Sequence, residues 1–179
     1  MNNPADKDKF NNLARQMKSG DDKAAGEIFN YFSPILYRFF LSRTLNKQVS
    51  EDLTQEVFLK LVSKIDLYDE GLGNFSGWLW QIARNSLTDY FRSKKETAFS
   101  DLPDLENIFS HKDSTEKNMK IKDIMALTEN FNDDDREIFS LYYVSDLSYR
   151  DIGKITGKTE GSLRILIHRM IKKIKKEIN

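Results

Sequence analysis

Apolar positions recur every three to four residues along almost the whole chain, and strand-like alternation is nearly absent; this pattern predicts an all-α protein. The clearest segment is residues 147–178. Ser148 and Asp151 have capping-box spacing, so a helix is expected from Tyr149, with Ile152 and Ile155 on its buried side. Gly157 stands where a glycine closes a helix, and Thr159 can cap a longer second one. On that second helix Leu163, Ile167, Met170, Ile171, Ile174 and Ile178 share one face. The opposite face carries Arg164, Ile165, His168, Arg169 and Lys172. A short helix, a glycine turn and a basic helix is the plan of a helix-turn-helix.

From the N-terminus, residues 6–17 predict a short helix with Phe10, Leu13 and Met17 on one side, ended by Lys18-Ser19-Gly20. Asp21 or Asp22 caps the next, whose Ile28, Phe29, Phe32, Ile35, Leu36, Phe39 and Phe40 read as core; Pro34 inside it is expected to kink it. Ser50 is placed to cap a third helix, residues 51–65, burying Leu53, Val57, Phe58, Leu61, Val62 and Ile65. Asp52, Gln55, Glu56 and Leu59 fall on its other side. A loop with two glycines, residues 66–74, leads into residues 75–95. There Leu79, Ala83, Leu87, Tyr90 and Phe91, with Trp80 nearby, form the buried face, and Trp78, Ile82, Asn85, Asp89 and Arg92 form a second stripe opposite.

The period fails over residues 96–114, which hold Pro103 and the acids Asp101, Asp104, Glu106 and Asp113 and predict a flexible acidic linker. Two small helical domains follow from this, residues 1–95 and 115–179. The second opens with a helix bearing Ile121, Ile124, Met125, Leu127 and Thr128, continues with one over 133–144, and is completed as a four-helix domain by the helix-turn-helix. No internal repeat is visible.

Composition narrows the function. The net charge is zero, with 28 basic and 28 acidic side chains, which argues against a uniformly basic nucleic-acid coat. Charge is segregated instead: residues 158–179 are basic and residues 96–116 mostly acidic, as suits regional partners. With no cysteine there is no disulfide, thiolate metal site or cysteine nucleophile. No apolar run is long enough for a bilayer span, and MNNPADKDKF lacks the apolar core of a signal peptide, so a soluble cytoplasmic protein is expected.

The candidate chemistry is recognition rather than catalysis. Arg164 and Arg169 offer bidentate donors to guanine edges or phosphates, and the outward-facing Ile165 suits a thymine methyl. An ordinary solvated surface helix is the competing reading of that face. A tryptophan, an amide and an arginine in one stripe suit unpaired bases and phosphates, through stacking, edge contacts and backbone contacts. Packing of Trp78 on a helix of its own domain is the alternative. Leu59 among acids and amides suggests a contact patch, although a single exposed leucine needs no explanation. The two histidines, His111 and His168, are assigned no catalytic role, and no phosphate loop, metal cluster or nucleophile motif is present.

DLTQEVFLKL at residues 52–61, GNFSGWLWQIARNSLTDYFR at 73–92 and the stretch from 136 to 169 together resemble the extracytoplasmic-function (ECF) class of bacterial sigma factors. The likeness covers about residues 10–178, and the first two motifs are far more specific than the helix-turn-helix. It implies a non-enzymatic initiation factor of RNA polymerase without a cofactor or small-molecule substrate. Asp52, Gln55, Glu56 and Leu59 match the surface that binds the β′ clamp of core polymerase. Tyr68, Ile82 and Asn85, with Trp78 at the edge of the melted duplex and Arg92 in the same stripe, match the region that takes a flipped −10 base. Arg164, Ile165, His168 and Arg169 match recognition-helix positions for the −35 duplex, with Lys158, Thr159 and Ser162 at the turn and helix start. The C-terminal domain also resembles the part that meets the β-flap, and the linker resembles the segment passing near the RNA path. Many members are held by an anti-sigma factor, and the resemblance makes one an expected partner.

Phe131-Asn132 stands where relatives often have Leu-Pro, and Ile165 replaces a commonly small polar residue, so no −35 sequence is borrowed. No further C-terminal regulatory domain is expected beyond the recognition helix. Two other classes compete. A stand-alone dimeric helix-turn-helix regulator leaves the Trp78 stripe and the Leu59 patch idle. An enzyme has no motif to stand on.

Overall fold

The computed structural model describes residues 4–100, 126–128 and 130–178. Every regular element among them is helical: α1 (Pro4–Lys18), α2 (Asp22–Thr44), α3 (Lys47–Lys64), a 3₁₀ turn (Ile65–Leu67), α4 (Phe75–Ser100), α5 (Asp133–Phe139) running into a π-helical segment (Ser140–Val144), α6 (Tyr149–Thr156) and α7 (Glu160–Ile178).

Local signals explain most boundaries. Asp21 caps α2 through bonds accepted from the Lys23 and Ala24 amides. The helix runs on through Pro34, and it ends where Leu45 turns left-handed and donates to the Leu41 carbonyl. The third helix corrects the sequence expectation. Asn46, not Ser50, is its cap, accepting from the Val49 amide at 3.1 Å. Ser50 is buried one turn inside, its hydroxyl on the Asn46 carbonyl at 2.5 Å and beside Thr44 Oγ1 at 3.0 Å. Val62, expected in the core, is 61% exposed.

Helices α1 to α4 pack around an aromatic centre. Phe10, Phe32 and Phe75 lie in consecutive ring contacts, and Trp80 meets Phe39 edge-on at 5.1 Å. Leu79, Trp80, Ala83 and Leu87 of α4 are buried as expected. Helix α4 continues to Ser100, past the expected linker start at 96. The remaining linker residues and most of the helix expected around Ile121, Ile124 and Met125 lie outside the described residues.

The C-terminal elements do not stand apart. Ile138, Phe139, Leu141, Leu147, Ile152, Ile155, Leu163, Ile167 and Met170 join the same core as the N-terminal helices. Helix α2 lies against the π-helical segment, and α4 lies against α6. Arg84 of α4 ties the two halves: its Nε and Nη2 donate to the Glu137 carboxylate at 2.6 and 3.1 Å, and its Nη1 donates to the Ile155 carbonyl at 2.8 Å. Nearby, Arg43 and Arg136 bring two guanidinium groups together. Burial, and then Arg136, push the Arg43 guanidinium below its usual range, while Glu137, Asp133 and Asp134 act in the opposite direction. The Nε atoms of Arg43 and Arg136 and the Trp80 indole N–H are buried without a hydrogen-bond partner among the described residues.

Candidate nucleic-acid and polymerase interfaces

The helix-turn-helix forms as its caps dictate. Ser148 caps α6 by accepting from the Asp151 amide at 3.1 Å, and its hydroxyl donates to the Asp151 carboxylate at 2.6 Å. Gly157 has φ +73° and donates to the Gly153 carbonyl at 2.8 Å. The turn also needs Gly153, because a Cβ there would stand 2.7 Å from the Lys158 carbonyl oxygen. Thr159 caps α7 by accepting from the Ser162 amide at 3.2 Å, and the Ser162 hydroxyl donates back to the Thr159 carbonyl at 2.8 Å.

Leu163, Ile167 and Met170 are buried, which turns Arg164, Ile165, His168, Arg169 and Lys172 to solvent together. Ile165 is 64% exposed, an apolar side chain inside a basic face. Lys158, Thr159 and Ser162 are exposed at the leading end of the same helix. The Arg164 guanidinium lies over the Tyr149 ring, 5.3 Å from its centroid. An open groove of about 610 Å³ runs beside it, lined by Tyr142, Tyr143, Asp146, Tyr149, Arg150 and Arg164 among others.

The α4 stripe is less exposed than its periodicity implies. Asn85 and Arg92 are exposed, Asn85 accepting from Gln81 Nε2 at 2.9 Å and Arg92 paired with Asp89 at 2.9 Å. Trp78 is half-buried against Tyr68 and Phe75. Ile82 is buried at 9% exposure, a correction to its place on an open face. Tyr68, in the loop before α4, is buried as well. It is 4% exposed, edge-on to Phe75, with its hydroxyl donating to Asn11 Oδ1 at 3.1 Å and the Gly73 carbonyl at 3.3 Å. Burial, with Glu70 adding to it, pushes the Tyr68 phenol up to about 12, so the hydroxyl remains a donor at neutral pH.

The reason is Asn11, which the sequence reading missed. It is 3% exposed and organises the loop: its Oδ1 accepts from Tyr68 and from the Phe75 amide at 3.0 Å, and its Nδ2 donates to Glu70 at 2.9 Å. Lys18 adds a bond to the Tyr68 carbonyl at 2.9 Å. The one available signal was an amide between Phe10 and Leu13 on an otherwise apolar face. The loop so anchored leaves Leu67 and Leu72 74% and 89% exposed beside the start of α4.

On α3, Asp52 and Gln55 are exposed and Leu59 is 71% exposed. Val62, one turn on, extends the apolar patch. Glu56 is partly withdrawn: it pairs with Lys60 and accepts from the Ser86 hydroxyl at 3.3 Å. Among the described residues no group of His, Cys, Asp or Glu could hold a metal ion, and no helix is long and apolar enough to cross a membrane.

Comparison with known proteins identifies the family. Residues 28–97 match the Sigma-70 region 2 family and residues 121–174 the Sigma-70, region 4 family. The ECF RNA polymerase sigma factor SigM of Bacillus subtilis (strain 168) is 33% identical over 153 residues, 83% of this chain and 91% of SigM. SigW of the same strain is 26% identical over 92% of this chain and 94% of its own. BldN of Streptomyces coelicolor is 26% identical over 89% of this chain, which spans only 62% of BldN. Two solved structures share the fold. CnrH, in complex with the cytosolic domain of CnrY, has TM-score 0.73 at 18% identity over 95% of this chain and 97% of that one. RpoE of Bartonella quintana, in complex with the anti-sigma factor NepR, has TM-score 0.65 at 24% identity over 84% and 94%. With both sigma regions matched in order, and SigM one-third identical along nearly all of its length, the chain belongs to the extracytoplasmic-function family of RNA polymerase sigma factors.

Proposed function

We propose that this chain is a promoter-specificity subunit that binds core RNA polymerase and reads a −10 and a −35 element to start transcription. The observation that carries the proposal is one chain holding two unlike recognition surfaces: a capped helix-turn-helix with a basic, Ile-bearing open face, and a Trp78–Asn85–Arg92 stripe suited to unpaired bases. Arg164, Ile165, His168 and Arg169 specify on the duplex, while Lys158, Thr159, Ser162 and the lysines after 172 position it. Trp78, Asn85 and Arg92 hold the melted strand, with Tyr68 and Ile82 as the wall behind Trp78. Leu59 and Val62, ringed by Asp52, Gln55 and Glu56, dock on the β′ clamp. The β-flap meets the C-terminal half. The polymerase, not this chain, performs the chemistry, and the working compartment is the cytoplasm. By analogy with RpoE and NepR, an anti-sigma factor is a further partner.

The two elements are about 25 base pairs apart, roughly 85 Å of B-form duplex at about 34 Å per turn. A compact chain of this length has a radius of gyration of about 16 Å, so its diameter is near 40 Å. The packed arrangement therefore cannot hold both elements, and the halves must part on the polymerase. Three buried, unpartnered donors at their junction suit a contact that opens.

The test is DNA protection by the protein alone, by core polymerase alone and by the two together. Protection of two spaced elements only in the combination supports the proposal. Tight duplex binding by the protein alone, as a dimer, would instead establish a stand-alone regulator.

A further inference from the structure

We infer that Tyr149 is a positioning residue for promoter reading: with Tyr142 behind it, it sets the direction of the Arg164 guanidinium and so the base preference that Arg164 imposes. The inference rests on the reading of Arg164 as a base-contacting residue.

The geometry forms a short stack. Tyr142 lies on the π-helical segment, which is held from behind by α2. Its ring is stacked on Tyr149, with centroids 4.8 Å apart and planes 18° apart. Tyr149, first residue of α6, in turn lies under Arg164 of α7, 5.3 Å from ring centroid to guanidinium. The backbone works to bring this about. The π-helical segment closes with the Ser145 amide on the Ser140 carbonyl, and Asp146 then takes φ +54°. The Leu147 amide returns to the Leu141 carbonyl, which folds Tyr149 back over Tyr142. Isolated π turns of this kind are frequently found at functional sites.

Arg164 has few other constraints. It is exposed and forms no hydrogen bond or ion pair among the described residues, so its donors remain available. A free arginine on a helix surface samples many rotamers, whereas bidentate reading of a guanine edge requires one plane and one reach. A ring face beneath the guanidinium restricts that plane without occupying the in-plane N–H groups.

The experiment uses the protein assembled with core polymerase, transcribing a template set in which each −35 position is varied singly. Readout is the transcript ratio between the best and next-best base at each position. Arg164→Ala is expected to relax one position. Tyr149→Leu should relax the same position about two- to fivefold, the size of an exposed cation–π contact. Tyr149→Phe, which keeps the ring, should retain the preference. In an Arg164→Ala background, Tyr149→Leu should add nothing at that position. Tyr142→Leu, which leaves α6 untouched, should act in the same direction and guards against simple misfolding of the Tyr149 variant. Equal weakening on all templates, or a Tyr149→Leu effect undiminished without Arg164, would overturn the inference. If Arg164→Ala itself relaxes no single position, the reading of Arg164 fails, and the inference fails with it.

Discussion

Removing the Glu137 carboxylate should loosen the whole molecule at its middle. Arg84 makes three bonds across the two halves, two of them to Glu137. The side chains are 27% and 14% exposed, so the pair lies between a surface bridge and a buried one. Breaking a buried pair costs about 3–5 kcal/mol, whereas an exposed pair is worth less than about 1 kcal/mol. An intermediate value near 2 kcal/mol follows for Glu137→Ala, which is roughly a thirtyfold shift toward the parted state at about 1.4 kcal/mol per tenfold. Polymerase binding that requires the parted state should then tighten by up to the same factor, because a smaller closed population has to be overcome. The assay pairs single-molecule energy transfer between dyes on α3 and on α7 with titration of core polymerase. Glu137→Ala should lower transfer and strengthen binding. Glu137→Gln, which keeps one acceptor, should lie between. Unchanged transfer and unchanged affinity in Glu137→Ala would refute both the latch and the requirement for opening.

Three further outcomes are expected. Trp78→Ala should lower open-complex formation, read by permanganate reactivity of melted thymines, more than it lowers polymerase binding; equal loss of both would deny it a role in melting. Leu59→Asp, on the exposed side of α3, should weaken core polymerase binding by tenfold or more while leaving the thermal melt unchanged within about 0.5 kcal/mol; unaltered affinity would remove this patch from the interface. Gly153→Ala should destabilise the helix-turn-helix by about 1–3 kcal/mol, because its Cβ meets backbone that cannot yield without moving the turn; an unchanged melt would mean that the turn relaxes freely.

The helix-turn-helix was legible because its determinants are local. Ser148, Gly157 and Thr159 each act within four residues, and no distant contact competes with them. At the third helix two caps competed. Asn46 won because Ser50 turns inward to Thr44 and the Asn46 carbonyl, a choice set by burial that spacing cannot express. Val62 was misplaced because Leu61 and Ile65 already fill the inner face of α3, leaving Val62 outside. Ile82 was misread because periodicity assumes one buried side, whereas α4 packs against α1 as well as α3. Tyr68 lies in the loop before α4, and it is held inside by its bond to Asn11, 57 residues away. Asn11 and Arg84 were invisible for a different reason. Their partners lie 53 to 71 residues away, so nothing near them in the chain announces the bonds.

As a sigma factor, this chain confers promoter choice on a polymerase that lacks it. The direct measurement is in vitro transcription by purified core polymerase over a library of promoter fragments, with and without the protein. Transcripts that depend on the protein are expected, arising from a subset of fragments sharing two elements at a fixed spacing. Transcription of the same fragments at the same level with and without the protein would contradict that role.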